Sequence, residues 1–147
     1  MKKSENGADD VIAKTAKLLA GAKTVYLATN GSHGHPNIRA MVPITIEEGA
    51  RTIWFATSAR SSKVLELQND KHAVVYAEAP RMAGECRLWG YVEILDDMDS
   101  RKKAWNNVTE KHFPDGIESP DFRALRFDVT SGLYANKNWE TFPFEIE

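Results

Sequence analysis

Thr57, Ser58, Arg60, Ser61, Ser62 and Lys63 crowd hydroxyls and cations into the stretch "TSARSSK", between the apolar run "TIWFA" and the amphipathic "VLEL". That set suits one kind of chemistry, the binding of an anion. A phosphate dianion takes N–H donors, hydroxyls and at least one cation in a concave place. A helix start adds free N–H groups and a partial positive charge. The plainer reading is a helix capped by Ser61 with solvated basic residues around it. Short Ser/Lys clusters are common, so local grounds favour the plainer reading. Arg39 is a further cation, on a strand whose opposite face is wholly apolar. It either reaches water along its aliphatic stem or points at the same anion.

Other residues carry weaker signals. His33 and His35 in "SHGHP" have a chelating spacing, but no carboxylate or thiol is grouped with them, and no metal is expected. His72 and His112 stand alone and read as structural or solvated. Cys86 beside Arg87 reads as a strand thiol used for packing. The run Arg101-Lys102-Lys103 reads as a solvated helix face. Of the tryptophans, Trp54 and Trp89 lie on strands and suit a core, whereas Trp139 sits in the polar "NKNWETF" and suits a ring or a second subunit. There is no G-x-S-x-G, H-E-x-x-H, P-loop or dinucleotide fingerprint, and nothing local names a nucleophile or general base. No catalytic side chain is assigned.

The chain has 147 residues and a formal net charge of −2, which argues for one domain and against a broad nucleic-acid surface. Its one cysteine cannot form an internal disulfide, so a reducing compartment is the simple expectation. The amino-terminal stretch lacks the apolar core of a signal peptide, and no run is apolar enough to span a bilayer. A cytoplasmic protein with no membrane partner is expected.

The elements that must position the cluster follow from periodicity. Residues 9–21 predict a helix ended by Gly21. "KTVYLAT" and "NIRAMVPITI" predict strands joined by the turn-rich "NGSHGHP". In the second, Ile38, Ala40, Val42, Ile44 and Ile46 share one face, and Arg39, Met41, Pro43 and Thr45 the other. Pro43 lacks an N–H, so this strand should lie at an edge or bulge there. "RTIWFAT" predicts a strand, and "SSKVLELQND" a short helix with Val64, Leu65 and Leu67 as its buried side. "HAVVYAEA" and "CRLWGYVEIL" predict two more strands, with Gly90 costly unless the chain bends there or something packs on its backbone. Residues 98–107 predict a helix, "HFPDGIESPDF" a long loop, and "RALRFDVTSGLYAN" one strand or two. The tail "NWETFPFEIE" has no assigned element. The sum is a mainly β, α+β protein: a small antiparallel barrel of six strands with flanking helices.

These pieces in this order, "VYLATNGSHGHPNIRAMVPI", "IWFATSARSSKVLELQND", "AVVYAEA" and "CRLWGYVEIL", resemble the pyridoxamine 5'-phosphate oxidase-like, FMN-binding split-barrel proteins, and among them the general-stress-protein branch. The resemblance covers 23–97, with a weaker trace in "RFDVTSGLYAN". It implies one FMN-binding split-barrel domain over 1–147, with 1–22 as an N-terminal helical segment. It also implies a homodimer with FMN at the subunit interface. Carried over residue by residue, Arg39, Ala40, Met41 and Val42 would run along the flavin, with Arg39 facing the phosphate. Ala56, Thr57 and Ser58 would line the cofactor, and Ser61, Ser62 and Lys63 would close on the phosphate. Ser62 stands where a second basic residue is usual, a place Arg60 either fills or leaves empty. Glu85 stands where a glutamine near the ring is usual, five residues before Gly90. Independently of the resemblance, Trp139 would cover the site, from its own or from the other subunit. The basic, histidine-containing tail of the true oxidases has no counterpart, so vitamin B6 oxidation is not expected. The resemblance implies an FMN-dependent oxidoreductase of unassigned substrate and electron donor. The alternative is a flavin- or haem-binding sensor without turnover.

Overall fold

The computed structural model describes the backbone of residues 2–146 and the side chains of 7–146. Helix α1 (Lys2–Gly21) leads into strands β1 (Val25–Asn30), β2 (Pro36–Met41), β3 (Thr45–Ile46) and β4 (Thr52–Ser58). Helix α2 (Ser62–Asn69) follows, then β5 (His72–Glu78) and β6 (Gly84–Leu95). Two short helices, α3 (Met98–Lys103) and α4 (Asn107–His112), precede β7 (Phe122–Asn136) and β8 (Thr141–Glu145). All pairings are antiparallel, in the order β2-β1-β5-β6-β7-β4-β3, with β8 also on β7.

The mainly antiparallel sheet with flanking helices agrees with expectation; the strand number is eight rather than six. Two local causes account for the difference. Pro43 cannot donate to a ladder, so "NIRAMVPITI" divides: β2 stops at Met41 on the sheet edge, and β3 resumes against β4. The tail pairs through β8, where Phe144 is its one buried side chain. The predicted helix over 98–107 is also two. Asp97 caps α3 by accepting from the Ser100 N–H at 3.1 Å, and Asn106 caps α4 in a capping box with Thr109.

Leu27, Phe55, Val75, Leu88 and Phe127 fill the core, with Val11 and Leu19 of α1 packed onto it. Between Trp89 and Gly90 the β6–β7 register shifts by a bulge. A Cβ at Gly90 would lie 2.0 Å from the Asp128 carbonyl oxygen, so the bend and the backbone contact expected there are both present. Cys86 is wholly buried, and burial pushes its thiol up to about 12, which makes it inert packing.

Two expectations are corrected, for Trp89 and Arg101, and the inner face of β2, left open by the sequence, is fixed. The apolar stripe of β2 faces outward: Ile38 is 66% exposed, whereas Met41 packs on the core. Trp54 is buried, but Trp89 is 38% exposed on the same outer face. There Ile38 pairs with Ala28, Ala28 with Val74, and Val74 with Trp89, which forms an apolar row across four strands. Arg101 is buried rather than solvated. It donates to the carbonyls of Asp96 (2.7 Å), Ile117 (2.7 Å) and Ser119 (3.0 Å) and lies 5.2 Å from the Phe122 ring centroid. Those bonds fasten the loop that carries Asp121.

Candidate functional site

The carboxyl end of β4 brings Ala56, Thr57 and Ser58 to the start of α2. The Thr57 and Ser61 hydroxyls share a hydrogen bond of 3.1 Å, and Lys63 Nζ donates to Thr57 Oγ1 at 2.9 Å. Ser61 occupies the N-cap position of α2, yet its hydroxyl caps no helix N–H; it is turned to Thr57. The expected cap is therefore absent, and the first N–H groups of α2 lack that side-chain acceptor. Lys63 is half-buried. Burial lowers its pKa most, the charge of Arg39 lowers it further, and Glu66 opposes both. Lys63 forms no ion pair among the described residues.

The connecting turn is fixed from the far side. Ser58 Oγ donates to the Asp121 carboxylate at 2.8 Å, the Ala59 N–H donates to the Asp121 carbonyl at 2.7 Å, and Arg60 Nε donates to Asp121 Oδ1 at 3.2 Å. The Ser58 bond leads the depression of the Asp121 pKa, with Arg60 adding to it against burial. Arg60 is 86% exposed, so its ion pair lies in water.

An open cleft of about 440 Å³ begins at this turn. Ala40, Met41, Val42 and Ile44 form one wall, Ala56, Thr57, Ser58, Ser61 and Lys63 the floor, and Val108, Thr109, His112, Phe113 and Asp121 the other wall. The structure thus gathers eight of the residues singled out in the sequence: Ala40, Met41, Val42, Ala56, Thr57, Ser58, Ser61 and Lys63. Four do not line it. Ser62 is exposed on the first turn of α2. Glu85 accepts a short hydrogen bond from the Tyr76 hydroxyl and holds that phenol up at about 12. Trp139 is 56% exposed in the β7–β8 turn, at φ 63°, with its N–H on the Asn136 carbonyl at 2.9 Å. Since Gly84 pairs with Asn136, Glu85 and Trp139 belong to one end of the sheet.

Arg39 is the fourth. Its guanidinium donates to Thr29 Oγ1 at 2.7 Å, the Leu27 carbonyl at 3.3 Å and Glu66 Oε1 at 2.9 Å. Glu66 also accepts from Thr29 Oγ1 at 3.0 Å and, in a short hydrogen bond, from Asn37 Nδ2. Burial alone would raise the Glu66 pKa, but the Asn37, Thr29 and Arg39 bonds outweigh it and hold the carboxyl below its ordinary value.

The sequence reading missed Glu66, Asn37, Thr29, Asp121, His112 and Phe113. It buried Leu65 on α2; in the structure Leu65 is exposed, and Glu66 is buried beside Val64 and Leu67. A helical phase that puts a carboxylate between two apolar residues signals a partner on the facing strand, and Arg39 is that partner. Asp121, His112 and Phe113 lie in or beside a loop with no periodic signal. His33 and His35 are exposed, and the described residues hold no cluster fit for a metal. No helix among them is long and apolar enough to cross a membrane.

A family model described as "Pyridoxamine 5'-phosphate oxidase like" matches residues 10–146. No curated protein matches the chain. Among solved structures, a protein related to general stress protein 26 of B. subtilis (pyridoxinephosphate oxidase family) from Clostridium acetobutylicum superposes with a TM-score of 0.84 at 28% identity, over 94% of this chain and 96% of that one. General stress protein 26 from Bacillus anthracis has a TM-score of 0.74 at 19% identity, over 90% of this chain and 97% of its own. A heme binding protein from Mycobacterium smegmatis has a TM-score of 0.72 at 17% identity, over 91% of this chain and 57% of its own. The last two likenesses concern the fold alone.

Proposed function

The chain belongs to the pyridoxamine 5'-phosphate oxidase-like family, and from that premise we propose that it is a dimeric FMN-binding oxidoreductase of the cytoplasm, with one FMN-binding domain over 1–147. The observation that carries the proposal is Lys63. A half-buried cation with a depressed pKa, bonded to the Thr57 hydroxyl and to no carboxylate among the described residues, is costly until an anion joins it. Thr57, Ser61 and the uncapped start of α2 surround it with donors, which suits a phosphate. The apolar wall of Ala40, Met41, Val42 and Ile44 suits a flat ring.

When bound, FMN supplies hydride or single-electron transfer. The chain's own residues bind and orient it. Lys63, Ser61 and Thr57 hold the phosphate, with Ser58 held in line by Asp121. Met41 and Val42 border the ring, Phe113 closes the opposite wall, and Ser62 contributes at most a backbone N–H. Arg39 acts from behind the cradle.

The dimer is supported by the outward apolar row of Ile38, Ala28, Val74 and Trp89, which a second copy would cover. In that assembly Glu85 and Trp139, which do not line the cleft of their own subunit, would approach the cleft of the partner. A lone buried thiol suits the reducing cytoplasm. Vitamin B6 oxidation is not proposed: strand β8, "TFPFE", carries no basic residue or histidine, unlike the tail that the resemblance implies for the true oxidases.

The same tail favours a second reading, a flavin- or haem-binding sensor without turnover. Visible absorbance after gel filtration with added FMN tests binding; a colourless protein that takes up no FMN would sink the flavin reading. Anaerobic mixing with NADH or NADPH then separates the two: bleaching marks an oxidoreductase, and an unbleached flavin favours the sensor.

A further inference from the structure

Among the described residues, Arg39, Arg60 and Lys63 stand near the cleft, and the two arginines are already paired. Arg60 is held by Asp121 at 3.2 Å. Arg39 is held by Glu66 at 2.9 Å, and Glu66 is 9% exposed, so this pair is far less screened than the first. Lys63 and Glu66 lie three residues apart on α2, on adjoining turns of one face. The three charges share one field: Arg39 pulls the Lys63 pKa down, and Glu66 pulls it up. Summed over Arg39, Glu66 and Lys63, the cradle carries one net positive charge.

We propose that Glu66 is a positioning residue that sets the charge of the cradle, holding Arg39 in an internal ion pair so that Lys63 alone is left to neutralise a ligand phosphate. The proposal rests on the flavin reading of the cleft. A phosphate monoester carries close to two negative charges at neutral pH. One net positive charge leaves it under-compensated, and the affinity falls accordingly. Glu66 also fixes where Arg39 points. The carboxylate takes one side of the guanidinium and Thr29 the other, so Arg39 tunes the field without lining the cleft.

The test is a charge cycle read by titration with FMN and with riboflavin, which has the ring and no phosphate. Glu66→Gln keeps the shape and an acceptor oxygen but releases the Arg39 charge. FMN should then bind about tenfold more tightly, the effect of one added charge roughly 10 Å from the phosphate at the dielectric of a protein surface. Riboflavin affinity should stay unchanged. Arg39→Gln alone should weaken FMN, and the double variant should return to wild-type affinity. Structural damage predicts the opposite: both ligands lost together, and a double variant worse than either single one. If Glu66→Gln leaves FMN affinity unchanged, or weakens FMN and riboflavin alike, the charge-setting role is overturned and the flavin reading stands. If neither flavin binds the wild type nor any variant, the flavin reading itself falls, and this role falls with it. Should Glu66→Gln fail to fold, the double variant, which buries no unpaired charge, decides: FMN affinity away from wild type overturns the role.

Discussion

Lys63 donates to Thr57 across 2.9 Å, and that bond joins the start of α2 to the end of β4. The lysine is thereby held over the cleft floor at a cost to the unliganded protein. Its pKa is lowered in the fold, so the unfolded chain binds its proton more readily, and stability rises with pH as the lysine sheds its charge below about 10.5. Lys63→Met removes that cost. The variant should melt at a higher temperature without ligand at neutral pH. It should also bind FMN more weakly by about 1.5–3 kcal/mol, the worth of a charge-assisted bond. Thermal denaturation and flavin titration on one preparation check both. A lower melting temperature with unchanged FMN affinity would place Lys63 in the scaffold rather than the site.

The exposed row on the sheet's outer face yields a second prediction. Ile38 is 66% exposed on β2 and continues through Ala28 and Val74 to Trp89. If a second copy covers it, Ile38→Glu buries an unpaired carboxylate, a loss of several kcal/mol of association free energy. Light scattering should report a monomer, with a circular dichroism spectrum like that of the wild type. A dimer of undiminished stability would remove this face from the interface.

Gly90 offers a third, aimed at the fold. Its missing side chain lets the Asp128 carbonyl oxygen approach to within 2.0 Å of the place a Cβ would take. Backbone cannot yield as a side chain tip does. Gly90→Ala should therefore cost about 3 kcal/mol or more, in the range of severe overpacking. Urea unfolding should show it as a shifted midpoint. A loss under about 1 kcal/mol would mean that the bulge relaxes freely.

The strands were legible because alternation of period two survives in β1, β4, β5 and β6, whose buried positions alternate cleanly along most of their length. Alternation divides a strand into two faces without saying which is inner. On β2 the more apolar face is the outer one, since Asn37, Arg39 and Met41 find Glu66, Thr29 and the core on the inner side. The same ambiguity shifted α2 by one residue. Strand β8 escaped because one buried phenylalanine in "TFPFE" is too little pattern to read. The bonded cluster of Thr57, Ser61 and Lys63 was legible because the three are close in sequence. The far wall at His112, Phe113 and Asp121 was not, because it depends on Arg101 fastening a loop by carbonyls, which leaves no residue pattern of its own.

The Glu66 carboxyl makes a last prediction, about acid. Its folded pKa is held below the ordinary value of about 4.5 despite burial, by bonds from Asn37, Thr29 and Arg39. A depressed carboxyl stabilises the fold fully above its unfolded pKa and loses that contribution as pH falls through the folded one. Glu66→Gln should therefore destabilise the protein at pH 7, by about 1–3 kcal/mol for a hydrogen-bonded charge with one partner left behind. As pH falls below the folded pKa, the wild-type carboxyl becomes neutral like the amide, and the two proteins should converge. Asp70, held at about 2, and the lowered Asp97 and Asp121 still titrate in both, so the variant keeps part of its acid sensitivity. Urea unfolding of both proteins from about pH 7 down to 3 measures the gap. A gap that stays constant over that span would show that Glu66 acts through shape rather than charge, and would count against the ion pair with Arg39 as the source of its stabilisation.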